Sequence, residues 1–299
     1  MNCGVKLGNI SLKSPLLPAS GTFASGKEYS EFVDLNSLGA VVTKGVSAQP
    51  WSGNPMPRIA ETASGMLNAI GLQNAGVEHF IQEDLPFLKQ MKAKIIVNIC
   101  GKTIEDYLQV VERLSSESVD FLEINISCPN IKEGGIAFGQ NAQNIFEITS
   151  LIKKKAKQPI MIKLSPNVTD IKEMAKAAQE GGADAISLIN TLTGTKIDIH
   201  QRKFVLANQT GGLSGPAIKP IALNMVYQAA QAVSIPLIGM GGIQSGEDAI
   251  EFLMAGATAV AVGTSLFRYP GIFQEILLAI QDYMRRYKVK NIKDIIGIL

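Results

Sequence analysis

The chain has 299 residues, of which 46% are hydrophobic and 18% charged, a balance typical of a soluble globular protein. Its formal net charge of +2 gives no reason to expect nucleic acid or an anionic membrane as a partner, and no apolar run is long enough to span a bilayer. Three cysteines without a C-x-x-C pair and two histidines argue against a metal site. With no visible signal peptide, we expect a cytoplasmic protein.

Eight short apolar segments recur along the chain, and each lacks polar alternation, as expected for strands buried on both faces of a parallel sheet. In chain order, the predicted strands are Pro15–Ser20, Ala40–Lys44, Lys94–Ile99, Asp120–Ile126, Pro159–Leu164, Asp184–Asn190, Ile235–Met240 and Thr258–Val262. Amphipathic stretches fall between several of them. Examples of predicted helices are Ile104–Ser115, Ile145–Lys157, Ile171–Gln179, Pro220–Gln231 and Gly246–Ala255.

Turn and cap residues support these boundaries. Gly181-Gly182 and Gly256 follow two predicted helices, and Ser245 stands three residues before Asp248, as an N-cap residue does. Eight strands alternating with helices predict an α/β fold, a single closed (β/α)8 TIM barrel over residues 1–299. Two long connections, at about 45–85 and 191–220, are predicted to form the active-site mouth.

The carboxyl ends of the predicted strands carry hydrogen-bonding groups and glycine turns. They are Ser20, Lys44, Asn98, Asn125, Lys163, Asn190, Gly241-Gly242 and Gly263-Thr264. In a (β/α)8 barrel the functional side chains gather at this face. A single polar strand end is explained by solvation alone, but the whole set predicts a binding site.

Glycines after the last two predicted strands indicate a phosphate site. They lie in Gly239-Met-Gly-Gly-Ile243 and Val262-Gly-Thr264, the loops where barrels often bind phosphate. Lys44 and Lys163 need a negative partner if they are partly buried. A reduced flavin, negative near N1 and the C2 oxygen, would supply one, and a phosphate alone would satisfy one lysine.

A cysteine follows the fourth predicted strand in the segment Asn125-Ile-Ser-Cys-Pro-Asn130. Pro129 ends ladder pairing, so Cys128 is predicted to lie on a loop at the barrel mouth. A thiol there can remove a proton near its usual pKa of about 8.5, and more easily beside positive charge. Cys3 and Cys100 are interpreted as packing residues.

Ten segments match a known family in sequence and in order. They are Pro18–Gly21, Thr43–Gly45, Gly53–Arg58, Asn68–Asn74, Asn125–Asn130, Ile162–Leu164, Leu188–Thr191, Gly211–Pro216, Gly239–Ile243 and Val262–Thr264. On these segments the chain resembles the class 1 dihydroorotate dehydrogenases along nearly its whole length. The stretch Gly65–Asn74 is similar to the NAD-linked subgroup B rather than the fumarate-linked subgroup A.

The resemblance implies FMN at the C-terminal face of the barrel and a pyrimidine beside it. FMN would be held by Ser20, Lys44, Gly45, Asn98, Asn125, Lys163, Ile189, Gly215, Gly241, Gly242, Gly263 and Thr264. The pyrimidine would be held by Lys44, Asn68, Ala69, Ile70, Gly71, Leu72, Asn125, Asn190 and Thr191. Cys128 would be the catalytic base, and no metal is expected.

The reaction implied is oxidation of dihydroorotate to orotate in pyrimidine biosynthesis. Cys128 would remove the C5 proton, and hydride would pass from C6 to N5 of FMN. Electrons would reach NAD+ through a partner subunit carrying FAD and a [2Fe–2S] cluster, and the chain would form a homodimer within a heterotetramer. This chain has neither four cysteines for a cluster nor a G-x-G-x-x-G segment after a strand, in agreement with such a division.

Several alternatives share part of this pattern. A related FMN barrel acting on another pyrimidine, such as the reducing domain of dihydropyrimidine dehydrogenase, would keep Cys128 and the flavin site. A fumarate-linked class 1A enzyme would differ in its electron acceptor. A flavin-free barrel would be colourless, and a barrel that only stores FMN would not need Cys128.

Overall fold

The computed structural model describes residues 1–126 and 138–299. Eight parallel strands form its central sheet, in the spatial order β3-β16-β15-β10-β9-β8-β7-β4. These strands are β3 Leu16–Pro18, β4 Ala40–Val42, β7 Lys94–Ile99, β8 Phe121–Asn125, β9 Ile160–Lys163, β10 Ala185–Leu188, β15 Leu237–Met240 and β16 Ala259–Val262. Each lies within one of the eight predicted segments, so the (β/α)8 barrel prediction is confirmed.

The two ends of this sheet meet between β3 and β4. The N–H of Gly39, just before β4, donates to the Leu16 carbonyl at 2.9 Å. A side-chain carbon on Gly39 would lie 2.1 Å from the Ser14 carbonyl oxygen, so only glycine allows this approach. The closed barrel brings all eight carboxyl ends to one rim.

Nine α-helices lie in the described ranges 1–126 and 138–299, together with short 3-10 turns and a π-helical turn at Phe80–Asp84. They are α1 Gly76–His79, α2 Leu85–Leu88, α3 Ile104–Leu114, α4 Ala142–Lys155, α5 Ile171–Glu180, α6 Lys219–Ala230, α7 Gly246–Met254, α8 Ser265–Arg268 and α9 Ile272–Arg286. None of the helices in these ranges is long and apolar enough to cross a membrane. The Ser245 N-cap is confirmed, because its hydroxyl oxygen accepts from the Asp248 N–H at 3.1 Å.

The two long connections build a second sheet over the rim. Its antiparallel strands follow the order β11-β14-β6-β5 and come from both connections. They are β5 Ile59–Thr62, β6 Gly65–Asn68, β11 Leu192–Thr195 and β14 Thr210–Ser214. We call this four-stranded sheet the covering sheet. Two further hairpins pair β1 Val5–Leu7 with β2 Ile10–Leu12, and β12 Ile197–Asp198 with β13 Lys203–Phe204.

Candidate functional site

A cavity of about 360 Å³ lies between the barrel rim and the covering sheet. Its floor is made by residues at the carboxyl ends of barrel strands, and its side by β6 and β14. Among the lining residues are Ser20, Lys44, Arg58, Met66, Asn68, Asn125, Lys163, Ile189, Asn190, Gly212, Ser214, Gly241, Gly242, Gly263, Thr264 and Phe267. We call it the rim cavity. It is where a (β/α)8 barrel places its functional site.

Where the structure describes the chain, the charged residues that line the rim cavity are cations. Among the described residues these are Lys44, Arg58 and Lys163, and no Asp or Glu side chain of those residues lines it. Lys163 is only 5% exposed, and its Nζ donates to Ser20 Oγ at 3.2 Å. Cations held at this depth favour an anionic ligand, which would offset the cost of their burial.

The surroundings of Lys44 change its titration. Burial lowers the pKa of Lys44 below its ordinary value; a charge on the Cys100 thiol opposes the shift, and the nearby Arg58 guanidinium adds to it. Arg58 is itself held in place, since its Nη2 donates to Gln73 Oε1 at 2.5 Å and its Nη1 to the Asn54 carbonyl at 3.4 Å. An anion bound between Lys44 and Arg58 would raise the pKa of Lys44 again.

Two glycines after β15 let the backbone curve tightly beside the cavity. Gly241 has φ +128° and Gly242 φ +77°. A side-chain carbon on Gly242 would lie 2.8 Å from Lys219 Cβ and 2.9 Å from the Gly215 carbonyl oxygen. Packing against Lys219 and Gly215 therefore requires glycine at position 242, and the phosphate site predicted for the loops after the last two strands stays a prediction.

Three contacts tie these loops to their neighbours. Thr264 Oγ1, after β16, donates to Ser214 Oγ of the covering sheet at 2.8 Å. Ser265 Oγ donates to the Ile243 carbonyl at 2.8 Å. Lys219 Nζ, at the start of α6, contacts Asp248 Oδ1 of α7 at 2.6 Å. The loops therefore form one cross-linked unit rather than independent turns.

Three asparagine side chains of the described ranges line the rim cavity, two from the ends of barrel strands and one from the covering sheet. Asn190 Nδ2 donates to Asn125 Oδ1 at 3.4 Å, and Asn190 Oδ1 accepts from the Thr191 N–H at 2.8 Å. Asn68 Nδ2 donates to the Gly212 carbonyl at 3.4 Å. Amides offer both donors and acceptors, which suits the ring edge of a pyrimidine.

Most residues predicted to bind a ligand meet at this cavity. Those that line it are Ser20, Lys44, Asn68, Ile70, Gly71, Leu72, Asn125, Lys163, Ile189, Asn190, Thr191, Gly215, Gly241, Gly242, Gly263 and Thr264. Their roles stay predictions, because position alone does not assign them. Cys128 lies outside the described residues.

Three predicted binding residues do not line the rim cavity. Gly45 lines a smaller cavity of about 200 Å³ that shares Lys44 with it. Asn98 is buried, and its Nδ2 donates to Glu123 Oε2 at 2.5 Å. Ala69 packs against a small apolar cluster, and its N–H donates to the Arg58 carbonyl at 2.8 Å. The binding roles predicted for these three also stay predictions.

Sequence reasoning assigned no role to Arg58 or Glu123. Arg58 follows no barrel strand, so its place beside Lys44 depends on the fold of the long connection. The one indication in the sequence that Arg58 belongs to the site is its position in the matching segment Gly53–Arg58. Glu123 stands within a strand, where a single carboxylate in an apolar run indicates a buried partner.

The fold and the rim cavity together define a (β/α)8-barrel protein with a cation-lined cavity at the carboxyl ends of its strands. The family model described as "Dihydroorotate dehydrogenase" matches residues 3–284. The chain belongs to the dihydroorotate dehydrogenase family.

Similar proteins span the chain almost completely. It is 63% identical over 297 residues to the "Dihydroorotate dehydrogenase B (NAD(+)), catalytic subunit" of Lachnoclostridium phytofermentans, covering 99% of each chain. It is 62% identical over 296 residues to the protein of the same name in Alkaliphilus oremlandii, covering 99% of this chain and 98% of that one. The resemblance to the NAD-linked subgroup is thereby confirmed.

A solved structure supports the fold alone. The crystal structure of DHODH from Eimeria tenella in complex with ferulenol matches with a TM-score of 0.82 at 22% sequence identity, covering 99% of this chain and 88% of that one.

Proposed function

We propose that this chain is the catalytic subunit of an NAD-linked dihydroorotate dehydrogenase, which oxidises dihydroorotate to orotate with FMN in the rim cavity. The observation that carries this proposal is the cavity's charge pattern. Three cations and no described carboxylate line a space bordered by glycine turns and amide side chains. FMN brings a phosphate and a ring that becomes negative on reduction, and orotate brings a carboxylate, so each would meet a cation.

The fit to FMN is supported by two features besides charge. Gly242 lies in the loop where phosphate is expected, and its backbone packs against Lys219 and the Gly215 carbonyl so closely that the loop carries no side chain at this position. Asn98 Oδ1 is buried and has no hydrogen-bond partner among the described residues. A buried acceptor of this kind costs free energy unless a donor reaches it. Asn98 Oδ1 lies 3.1 Å from the Cβ position of Gly45, which lines the smaller cavity that shares Lys44 with the rim cavity, and a flavin ring N–H that extends there would be such a donor.

We assign the chain's own groups to binding as follows. The turns at Gly241-Gly242 and Gly263-Thr264 would hold the phosphate, and Lys163 would offset negative charge on the flavin ring. Lys44 would lie between the flavin and the substrate. Asn68, Asn125 and Asn190 would hold the amide edges of the pyrimidine. When bound, FMN supplies the acceptor for the hydride that leaves C6 of dihydroorotate.

The proton at C5 would be removed by Cys128. This assignment depends on the family resemblance and on sequence position, three residues after the cavity residue Asn125. The cations of the rim cavity would favour the thiolate form, which is the form that accepts a proton. C5 is acidified by the adjacent C4 carbonyl, so a thiolate is a strong enough base and no covalent bond to substrate is required.

We propose further that electrons leave through a partner subunit carrying FAD and a [2Fe–2S] cluster, with NAD+ as the final acceptor. The names of the relatives, which read "catalytic subunit" and "NAD(+)", support a partner. A homodimer of this chain within a heterotetramer, with residues 1–299 as one domain, completes the proposal.

The test is the visible spectrum of the purified chain before and after dihydroorotate is added without oxygen. Flavin absorption that bleaches with dihydroorotate is the expected result. Flavin absorption that bleaches with dihydrouracil instead would move the substrate to another pyrimidine. A colourless chain that takes up no added FMN would overturn the proposal.

Cys128 is tested in the same assay with a matched control. We expect Cys128→Ala to slow bleaching by roughly 10²–10⁴-fold, the usual contribution of a general base. Cys3→Ala should bleach at the rate of the unmodified chain, because Cys3 lies beside Met284 at 3.8 Å and away from the rim cavity. Equal rates for the two variants would remove Cys128 from the mechanism.

A further inference from the structure

The interior of the barrel buries two opposite charges in successive layers. The buried charged side chains among the described residues are Lys163, Glu123 and Asp248. Asp248 pairs with Lys219 outside the barrel interior, between α6 and α7. Lys163 on β9 and Glu123 on β8 are therefore the opposite charges that the described barrel strands bury at 5% and 2% exposure.

Glu123 is held by neutral donors from two other strands. Asn98 Nδ2, on β7, donates to Glu123 Oε2 at 2.5 Å. Ser187 Oγ, on β10, donates to Glu123 Oε1 at 2.6 Å. Because β9 separates β8 from β10 in the sheet, the second bond crosses the barrel interior. Both carboxylate oxygens are thus engaged inside the barrel.

Strand register places this carboxylate directly below the rim cavity. Asn125 and Lys163 are paired across β8 and β9, and both line the cavity. Glu123 is paired with Met161, two residues deeper on each strand. Residues two apart share a face of a strand and are separated by about 7 Å. The charge of Glu123 therefore lies one layer beneath the cavity that Lys163 lines.

A charge at this depth is screened weakly by solvent, so it acts on whatever occupies the cavity above it. The cavity itself presents three cations and no carboxylate of the described residues. We propose that Glu123 sets the reduction potential of the bound cofactor by offsetting part of the positive field of Lys163. This inference depends on the proposed function, in which FMN occupies the rim cavity.

The direction of the effect follows from charge. Reduction of a flavin adds negative charge near N1 and the C2 oxygen, which Lys163 favours and Glu123 disfavours. Glu123 would thereby keep the potential low enough for electrons to pass on to the acceptor. Its removal should favour the reduced form.

A purely structural role for Glu123 is the competing explanation, and a glutamine separates the two. Glu123→Gln removes the charge, but its oxygen can still accept from Asn98 and its amide can donate to Ser187. Ser187→Ala removes the hydrogen bond from Ser187 to Glu123 but keeps the charge of Glu123. Glu123→Met is a second charge-free variant of similar volume; because it leaves Asn98 Nδ2 and Ser187 Oγ without their acceptor, its structural cost should exceed that of Glu123→Gln.

The experiment is an anaerobic titration of each FMN-loaded variant with a chemical reductant and a reference dye, which gives the midpoint potential without dihydroorotate. We expect Glu123→Gln and Glu123→Met to shift the equilibrium toward reduced flavin by roughly tenfold, or about 30 mV for a two-electron couple. Ser187→Ala should stay within about threefold of the unmodified protein. Thermal unfolding of the same samples records the structural cost.

Three results would overturn the inference. One is an unchanged potential in both charge-free variants that fold, and another is an equal shift in Ser187→Ala. The third is a wild-type chain that binds no FMN, which overturns the proposed function as well. If the chain binds FMN but does not react with dihydroorotate, the proposed substrate is wrong. The titration uses no dihydroorotate, so it still decides whether Glu123 sets the potential.

Discussion

Thr264 Oγ1 donates a 2.8 Å hydrogen bond to Ser214 Oγ, joining the glycine turn after the last barrel strand to the covering sheet. Both residues line the rim cavity. We expect Thr264→Val, which keeps the side-chain shape, to weaken FMN binding by up to about fivefold, because it removes a hydrogen bond of roughly 1 kcal/mol that holds the turn proposed to bind the phosphate. Thr195→Val is the control, because Thr195 bonds the Gln209 carbonyl in the same sheet, away from the cavity. Fluorescence titration of the apoprotein with FMN measures both, and equal losses would reject the role of Thr264.

Gly242 allows a backbone that other residues cannot share without collision. Its φ is +77°, and a side-chain carbon would lie 2.8 Å from Lys219 Cβ. Gly8 is a matched control, with φ +54° and nothing within 4 Å of the same position. We expect Gly8→Ala to lose roughly 1–2 kcal/mol of stability from left-handed strain alone. Gly242→Ala should lose more and should also weaken FMN binding at least tenfold. Denaturant unfolding and FMN titration check the two effects, and FMN affinity unchanged in Gly242→Ala would contradict the phosphate site.

The barrel was predictable because each of its strands has a recognisable pattern in its own short stretch of sequence. Continuous apolar runs such as Lys94–Ile99 identify a strand buried on both faces, and the observed strand has those bounds. The strands of the covering sheet have no such continuous apolar run. Its strand Thr210–Ser214 contains two glycines, and it is held by pairing with residues more than 140 positions away, such as Gly212 with Asn68. The sequence analysis did not assign helix Ile272–Arg286 either, although its buried residues recur at helical spacing.

The candidate site likewise contains some residues that the sequence predicts and others that only the fold brings into place. Lys44 and Lys163 were predictable because each stands at the end of a strand, where topology alone determines its position. Arg58 reaches the cavity through the path of a long connection, and Glu123 matters through contacts with Asn98 and Ser187 on other strands. Contacts of this kind depend on register and on side-chain direction, which the pattern of one strand does not contain.

The pH dependence of orotate binding should report Lys44. Burial lowers the pKa of Lys44 in the free protein, and a bound anion should raise it. Binding therefore takes up protons as the pH rises through the lowered pKa, and the affinity should fall there by up to tenfold per pH unit. Below that pH range the affinity should not change with pH.

The Lys44→Gln protein should bind orotate more weakly and lose this pH dependence, whereas Lys172→Gln, at an exposed position of α5, should retain it. Titrations of the oxidised holoenzyme with orotate from neutral to alkaline pH provide the measurement, and parallel curves for wild type and Lys44→Gln would exclude Lys44.

The ion pair between Lys219 and Asp248 should stabilise both the fold and the phosphate turn. Asp248 Oδ2 also accepts from the Gln244 N–H at 2.9 Å, so the pair connects α6 to the loop that follows Gly242. Burial alone would raise the pKa of Asp248, but hydrogen bonds from Lys219 and from the Gln244 backbone outweigh it and lower that pKa. A lowered carboxyl pKa contributes stability above its unfolded value, about 3.9, and that contribution is lost as the pH falls through the folded value.

Lys219→Met should therefore cost roughly 1–2 kcal/mol at neutral pH, between the values for exposed and fully buried pairs. The cost should shrink as Asp248 is protonated in acid, and FMN should bind several-fold more weakly. Lys153→Met is the control, because the Lys153–Asp184 pair joins α4 to the residue before β10, away from the rim cavity. It should lose stability without losing FMN affinity. Denaturant unfolding across this pH range, with FMN titration at neutral pH, tests both statements. A Lys219→Met protein that is destabilised equally at every pH would show that the lysine acts through packing of its side chain rather than through its charge.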